Sequence, residues 1–133
     1  MTVILDVHVP MEPRGKQRPR ISKNGHVFTP PQTINAEKQI RMYARLQYKQ
    51  PPVDGPVKLL VQAFFLKPKS APKDRLYPIV TPDWDNLGKL VSDALNKLIY
   101  LDDKQIISAT VEKHYCKQFV RQGFRIVVKE GGV

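Results

Sequence analysis

The stretch TPDWDNLGKLVSDALNKLIYLDDKQ, residues 81–105, decides the fold of this chain. Leu87, Leu90, Val91, Ala94, Leu95 and Leu98 recur at i, i+3, i+4, i+7, i+8 and i+11, the spacing that gathers side chains on one stripe of an α-helix. The pattern predicts an amphipathic helix over residues 86–99. Two pairs of aspartates bracket it. Asp85 falls at the expected N-cap with Asp83 on the approach, and Asp102 and Asp103 follow the far end.

Working outward, the segments on either side read mostly as strands. On the N-terminal side, VKLLVQAFFLK (residues 57–67) is apolar on both parities, which predicts a strand buried on both faces. The Pro- and Lys-rich stretch 67–82 between it and the helix reads as a long loop, and such loops are commonly functional. On the C-terminal side, KQIISATVEKHY alternates as a strand and FRIVVK reads as another. Farther upstream, Ile34, Ile40, Tyr43, Ala44 and Tyr48 predict a helix over residues 32–49, with Thr33 as its cap. Asn24-Gly25 between RISK and HVFT predicts a hairpin with a type I′ turn. The opening MTVILDVHVP lacks the basic and long apolar parts of a signal peptide and reads as a strand. The order strand, hairpin, helix, strand, helix, strand, strand gives an α/β single domain, residues 1–133, with a mixed β-sheet and two main helices packed on it.

The chain has 22 Lys and Arg against 12 Asp and Glu, a formal charge of +10. Such an excess is the footprint of a nucleic-acid binder, since phosphate contacts release counterions. A membrane surface would call for a basic amphipathic helix, whereas the basic residues here lie mostly in loops and strands; no membrane partner is expected. The single Cys116 makes no internal disulfide and fits a reducing cytoplasm. Arg14, Lys16, Arg18, Arg20 and Lys23 form an acid-free basic run suited to the DNA backbone, and Lys67, Lys69, Lys73 and Arg75 make a second patch. Trp84 reads as a core residue rather than a base-stacking one. Lys113 ends the strand after Asp103, within possible reach of the same place. His8, His26, His114 and Cys116 lack zinc-ligand spacing.

Acid is scarce, yet five of the twelve acidic residues fall between 83 and 103: Asp83, Asp85, Asp93, Asp102 and Asp103. Singly, each reads as a cap, a turn residue or half of an Asp85–Lys89 ion pair. Together they suggest more. An extended approach points Asp83 and Asp85 the same way, and Lys89 lies one turn above Asp85. If the strand after Asp103 runs beside the chain feeding Asp83, three carboxylates meet. Oxygen-only ligands suit Mg²⁺ or Mn²⁺, which complete their shells with water and substrate phosphate. A metal so held activates water, while a nearby Lys neutralises developing charge.

At these residues the chain resembles the RusA-type Holliday-junction resolvases, small endonucleases common in phages and prophages. The resemblance rests on PDWDNLGKLVSDALNKLIYLDDKQI, which follows the pattern D-x-D-N-x-x-K…D-A-L-N…D-D-x-Q, and on the early KQRPR…G…TP stretch. It implies that Asp83, Asp85 and Asp103 are catalytic, metal-binding carboxylates and that Lys89 is the essential basic residue, with Asp102 able to share or replace the part of Asp103. It implies a Mg²⁺-dependent endodeoxyribonuclease, with Mn²⁺ able to substitute, that resolves four-way DNA junctions in recombination and repair. It also implies a homodimer, which suits symmetric nicking of two equivalent strands. A non-catalytic junction-binding protein and a related nuclease acting on flaps or forks are the alternatives.

Overall fold

A computed structural model of the chain describes residues 2–132, apart from the side chain of Val120. Strand β1 (Val3–Pro10) leads through an extended segment into the two-residue strands β2 (Arg20–Ile21) and β3 (Val27–Phe28). Helix α1 (Pro31–Gln47), strand β4 (Val57–Leu66), helix α2 (Trp84–Leu95) and strands β5 (Ile106–Cys116) and β6 (Gly123–Glu130) follow. The main sheet has the order β1-β6-β4-β5. Strand β6 pairs antiparallel with both β1 and β4, and β5 lies parallel to β4. A parallel pair needs a crossover, and α2 supplies it. The α/β reading with a mixed sheet and two helices is the observed architecture.

Both helices cover one face of the sheet. Leu5, Val7 and Val9 of β1, Val57, Leu59, Val61 and Ala63 of β4, and Phe124, Ile126 and Val128 of β6 alternate inward onto it. Ala36, Ile40 and Ala44 of α1 and Leu87, Leu90, Val91, Ala94 and Leu95 of α2 close the core from above. Each of the larger side chains so buried stabilises the fold by about 1.5–3 kcal/mol relative to exposure. The helices are also tied directly: the Arg41 guanidinium of α1 donates to the Ala94 and Asn96 carbonyls at 3.1 and 3.2 Å, satisfying acceptors that the end of α2 leaves open.

Four local expectations change. Helix α2 begins at Trp84 with Asp83 at the cap position, not Asp85, and it ends at Leu95 rather than Ile99. Lys97 adopts φ 68°, and its N–H donates to the Tyr100 carbonyl at 2.8 Å, turning the chain. Helix α1 starts on Pro31 in its first turn, and Thr33 is buried with its hydroxyl on the Gln17 side chain at 2.9 Å, so Thr33 is not the cap. In the hairpin only Gly25 has positive φ. Its N–H donates to the Ser22 carbonyl at 3.0 Å, and Ser22 and His26 pair around a three-residue loop of type I turn plus left-handed glycine, not a type I′ turn. Strand β4 buries one face fully; Leu60, Gln62 and Phe64 on the other are half-covered, because both helices pack on the first face.

Candidate active site

The chain enters α2 extended, with Asp83 at φ −72°, ψ 153°. Its side chain makes no capping hydrogen bond to the helix. Asp83 and Asp85 therefore stand on either side of Trp84 and line one cleft of about 690 Å³, together with Ile79, Val80, Thr81 and Lys113. Lys113 reaches it from β5, where its backbone pairs with Ala63 of β4, and its ammonium donates to the Val80 carbonyl. The parallel β4–β5 pairing thus places a cation in the same cleft as the two carboxylates.

Asp102 and Asp103 have different surroundings. Asp102 caps a single 3-10 turn, Asp103–Gln105: its Oδ1 accepts from the Lys104 N–H at 2.9 Å, and Gln105 Oε1 accepts from the Asp102 N–H at 2.9 Å. The bond from the Lys104 N–H holds the Asp102 carboxyl below the usual carboxylate range. Gln105 Nε2 then donates to the Val53 and Gly55 carbonyls at 2.9 Å, fixing the turn to the chain before β4. Asp103 is left facing α2, its Oδ2 3.8 Å from Lys89 Nζ. Lys89 does not pair with Asp85 as one reading had it. Its Nζ lies 3.1 Å from Asp93 Oδ1, and this hydrogen bond, outweighing partial burial and helped by the charges of Asp103 and Glu37, raises the Lys89 pKa. Lys89 is accordingly an ammonium at neutral pH, a source of positive charge and not a base.

Among the described residues no three His, Cys, Asp or Glu side chains converge on a single point. The donor chemistry nevertheless suits a hard divalent cation: Asp83 and Asp85 offer carboxylate oxygens to one cleft, and Mg²⁺ usually takes only one or two carboxylates beside substrate phosphate and water. Asp103 and Lys89 do not line that cleft; they face each other beside it, 3.8 Å apart.

The basic residues divide. Arg18, Arg20 and Lys23 are exposed on and beside the β2–β3 hairpin. Arg14 is exposed and lies 3.8 Å from Glu12. Lys16 turns inward, its Nζ 3.2 Å from both Glu37 Oε1 and Asp93 Oδ2. In the long loop Lys69 and Lys73 are exposed, whereas Lys67 donates to the Lys73 and Arg75 carbonyls and so fastens the loop. Trp84 is 64% exposed, contrary to the core position read from sequence, because the apolar stripe of α2 starts only at Leu87. Asp93 received no role from sequence. The signal was present in its i, i+4 spacing from Lys89 and in the D-A-L-N segment.

Residues 10–128 match the family described as endodeoxyribonuclease RusA. A protein of Bacillus subtilis (strain 168), described as uncharacterized protein YqaN, is 34% identical over 120 residues, covering 80% of this chain and 84% of that protein.

Proposed function

Because the chain belongs to the RusA family of Holliday-junction-resolving endodeoxyribonucleases, we propose that it cuts four-way DNA at the cleft lined by Asp83 and Asp85. Asp83 and Asp85 would hold a divalent cation in that cleft, Mg²⁺ with Mn²⁺ as substitute, and Asp103 would be drawn in as the third carboxylate that the family pattern names. Bound there, the cation supplies Lewis-acid charge to the phosphodiester and makes water a better nucleophile. Lys89 holds positive charge beside Asp103, where it offsets negative charge that develops during cleavage. Lys113, across the cleft, suits a phosphate oxygen. Asp102 and Gln105 shape the turn that presents Asp103. The single observation that carries this reading is the opening of Asp83 and Asp85 onto one cleft beside Lys113, in a chain of net charge +10.

Two copies act together in this reading, since one acidic site nicks one strand and a junction needs two matched nicks. The setting is the cytoplasm, where DNA is accessible; no helix among the described residues is long and apolar enough to cross a membrane. A phage or prophage origin accords with the family.

Two further outcomes follow from the surface. Arg18, Arg20 and Lys23 contact the DNA backbone, so replacing all three with Ala weakens binding of junctions of any sequence. The slope of log affinity against log salt becomes shallower by about 2–3, roughly 0.9 per contact; an unchanged slope in a salt titration removes the hairpin from the interface. Trp84 offers an exposed ring beside the carboxylates, suited to a base unstacked at the branch point. Trp84→Ala lowers junction affinity by about 1–3 kcal/mol, and it changes unfolding free energy by less than about 0.5 kcal/mol because the ring is exposed.

Cleavage of a four-way junction, a flap, a fork and a linear duplex, compared at equal enzyme and Mg²⁺, tests the substrate. The reading expects the junction to be cut fastest; faster cutting of the flap or fork would transfer the assignment to that structure.

A further inference from the structure

We propose that Asp93 is the positioning residue for Lys89, and that Lys16 and Glu37 act behind it by holding Asp93 in place. The inference rests on the reading of Lys89 as the basic residue of the cleavage site. Lys89 has a flexible four-carbon stem, and its side chain is 56% exposed. Left alone, such an ammonium samples many rotamers, whereas a catalytic charge must be held to within about 0.5 Å.

The structure restrains it by a row of alternating charges. Lys89 Nζ lies 3.1 Å from Asp93 Oδ1. The other oxygen of the same carboxylate, Oδ2, lies 3.2 Å from Lys16 Nζ, and Lys16 reaches both Glu37 oxygens at 3.2 and 3.3 Å. The side chains of Asp93, Lys16 and Glu37 are only 22, 22 and 19% exposed, so solvent screens these pairs less than it screens Lys89. The backbone around Lys16 is fixed as well. Its N–H donates to the Asn86 carbonyl at 2.8 Å, and a Cβ on the preceding Gly15 would lie 2.9 Å from Asn86 Cβ and 3.1 Å from Pro82 Cβ. The segment is therefore wedged against the start of α2, with no slack to carry Lys16 away.

Helix stability alone does not account for Asp93. It lies in the last turns of α2, where the helix dipole disfavours an anion. The Lys-then-Asp order at i, i+4 is also the weaker orientation for a helical ion pair. An acid here works against the helix but places the cation that faces Asp103.

The test measures single-turnover cleavage of a four-way junction in Mg²⁺ by the full-length protein. Asp93→Asn is expected to slow cleavage about 10–100-fold, the scale of a misplaced catalytic group, with junction affinity changed by less than about threefold. In a Lys89→Met background, adding Asp93→Asn is expected to cause no further loss, because Asp93 acts through Lys89. Cleavage by Asp93→Asn within about twofold of wild type, or losses that multiply in the double variant, overturns the proposal. Wild-type protein that leaves the junction uncut sinks the parent reading instead. In that case, or if Asp93→Asn fails to fold, nitrogen-15 NMR of the wild-type lysine ammonium groups still decides. Restricted motion at Lys89 relative to exposed Lys23 supports the proposal, and equal mobility of the two overturns it.

Discussion

Asp85→Asn is expected to reduce junction cleavage about a thousandfold or more, a loss of roughly 4 kcal/mol of transition-state stabilisation. The substitution keeps the shape of the side chain and removes its charge. Asp85 is exposed in the first turn of α2 and, among the described residues, its carboxylate bonds only to the adjacent Asn86 N–H, at 3.0 Å, so little of the fold depends on that charge. Junction binding without metal should persist or tighten, since an anion facing phosphates has been neutralised. Asp102→Asn provides the contrast. Asp102 caps the 3-10 turn, Asn is an equally good cap, and cleavage should remain within about threefold of wild type. Single-turnover cleavage beside a gel-shift titration measures both. Rapid cutting by Asp85→Asn, or collapse of cutting in Asp102→Asn, would overturn the proposed metal site of Asp83, Asp85 and Asp103.

Gly123→Ala should have the largest effect on stability. Gly123 opens β6 at φ 141°, a backbone region that side chains rarely occupy. A Cβ there would lie 2.1 Å from the Val9 carbonyl oxygen, 3.0 Å from its carbon and 3.1 Å from Pro10 Cα. All three are backbone atoms of β1, so relief requires the β1–β6 pair to shift at the Pro10–Gly123 register. Strain from the dihedral and from the overlap together should cost about 3 kcal/mol. For a domain of this size that lowers the melting temperature by about 10 °C. Gly55→Ala is the control: nothing lies within 4 Å of its added Cβ, and its unfolding free energy should change by less than about 0.5 kcal/mol. Equal melting temperatures for the two variants would contradict the register at the start of β6.

What could be read in the sequence was periodic or contiguous. The stripe from Leu87 to Leu95 announced α2 and the alternation in β1 announced its strand, because one-sided burial imposes those periods directly; β5 alternates in sequence although it is only half-covered along its length. The end of α2 was hidden, since Lys97 turns left-handed only where Tyr100 is on hand to accept its N–H. The pairing of Asp83 with Asp85 on one cleft followed from an extended approach to a helix, a local inference. The partners of Lys16 did not. Its charge looked like part of a surface run, but Glu37 and Asp93, 21 and 77 residues away, take it up once α1 and α2 pack together. Trp84 failed for a related reason: an apolar residue beside an apolar stripe reads as part of it, although the first inward position of α2 is Leu87. Asp102 and Asp103 were inseparable as letters, and the capping of the 3-10 turn by Asp102 is what leaves Asp103 toward Lys89.

The central claim is that the aspartates around α2 serve strand cleavage. Its most direct measurement incubates the protein with a synthetic four-way junction, each strand labelled in turn, in Mg²⁺ and in EDTA, beside the matched linear duplex. The account predicts paired nicks placed symmetrically across the junction, present only with the metal and absent from the duplex. Tight junction binding without nicks in both Mg²⁺ and Mn²⁺ would contradict it and return Asp83, Asp85 and Asp103 to the roles of caps and turns.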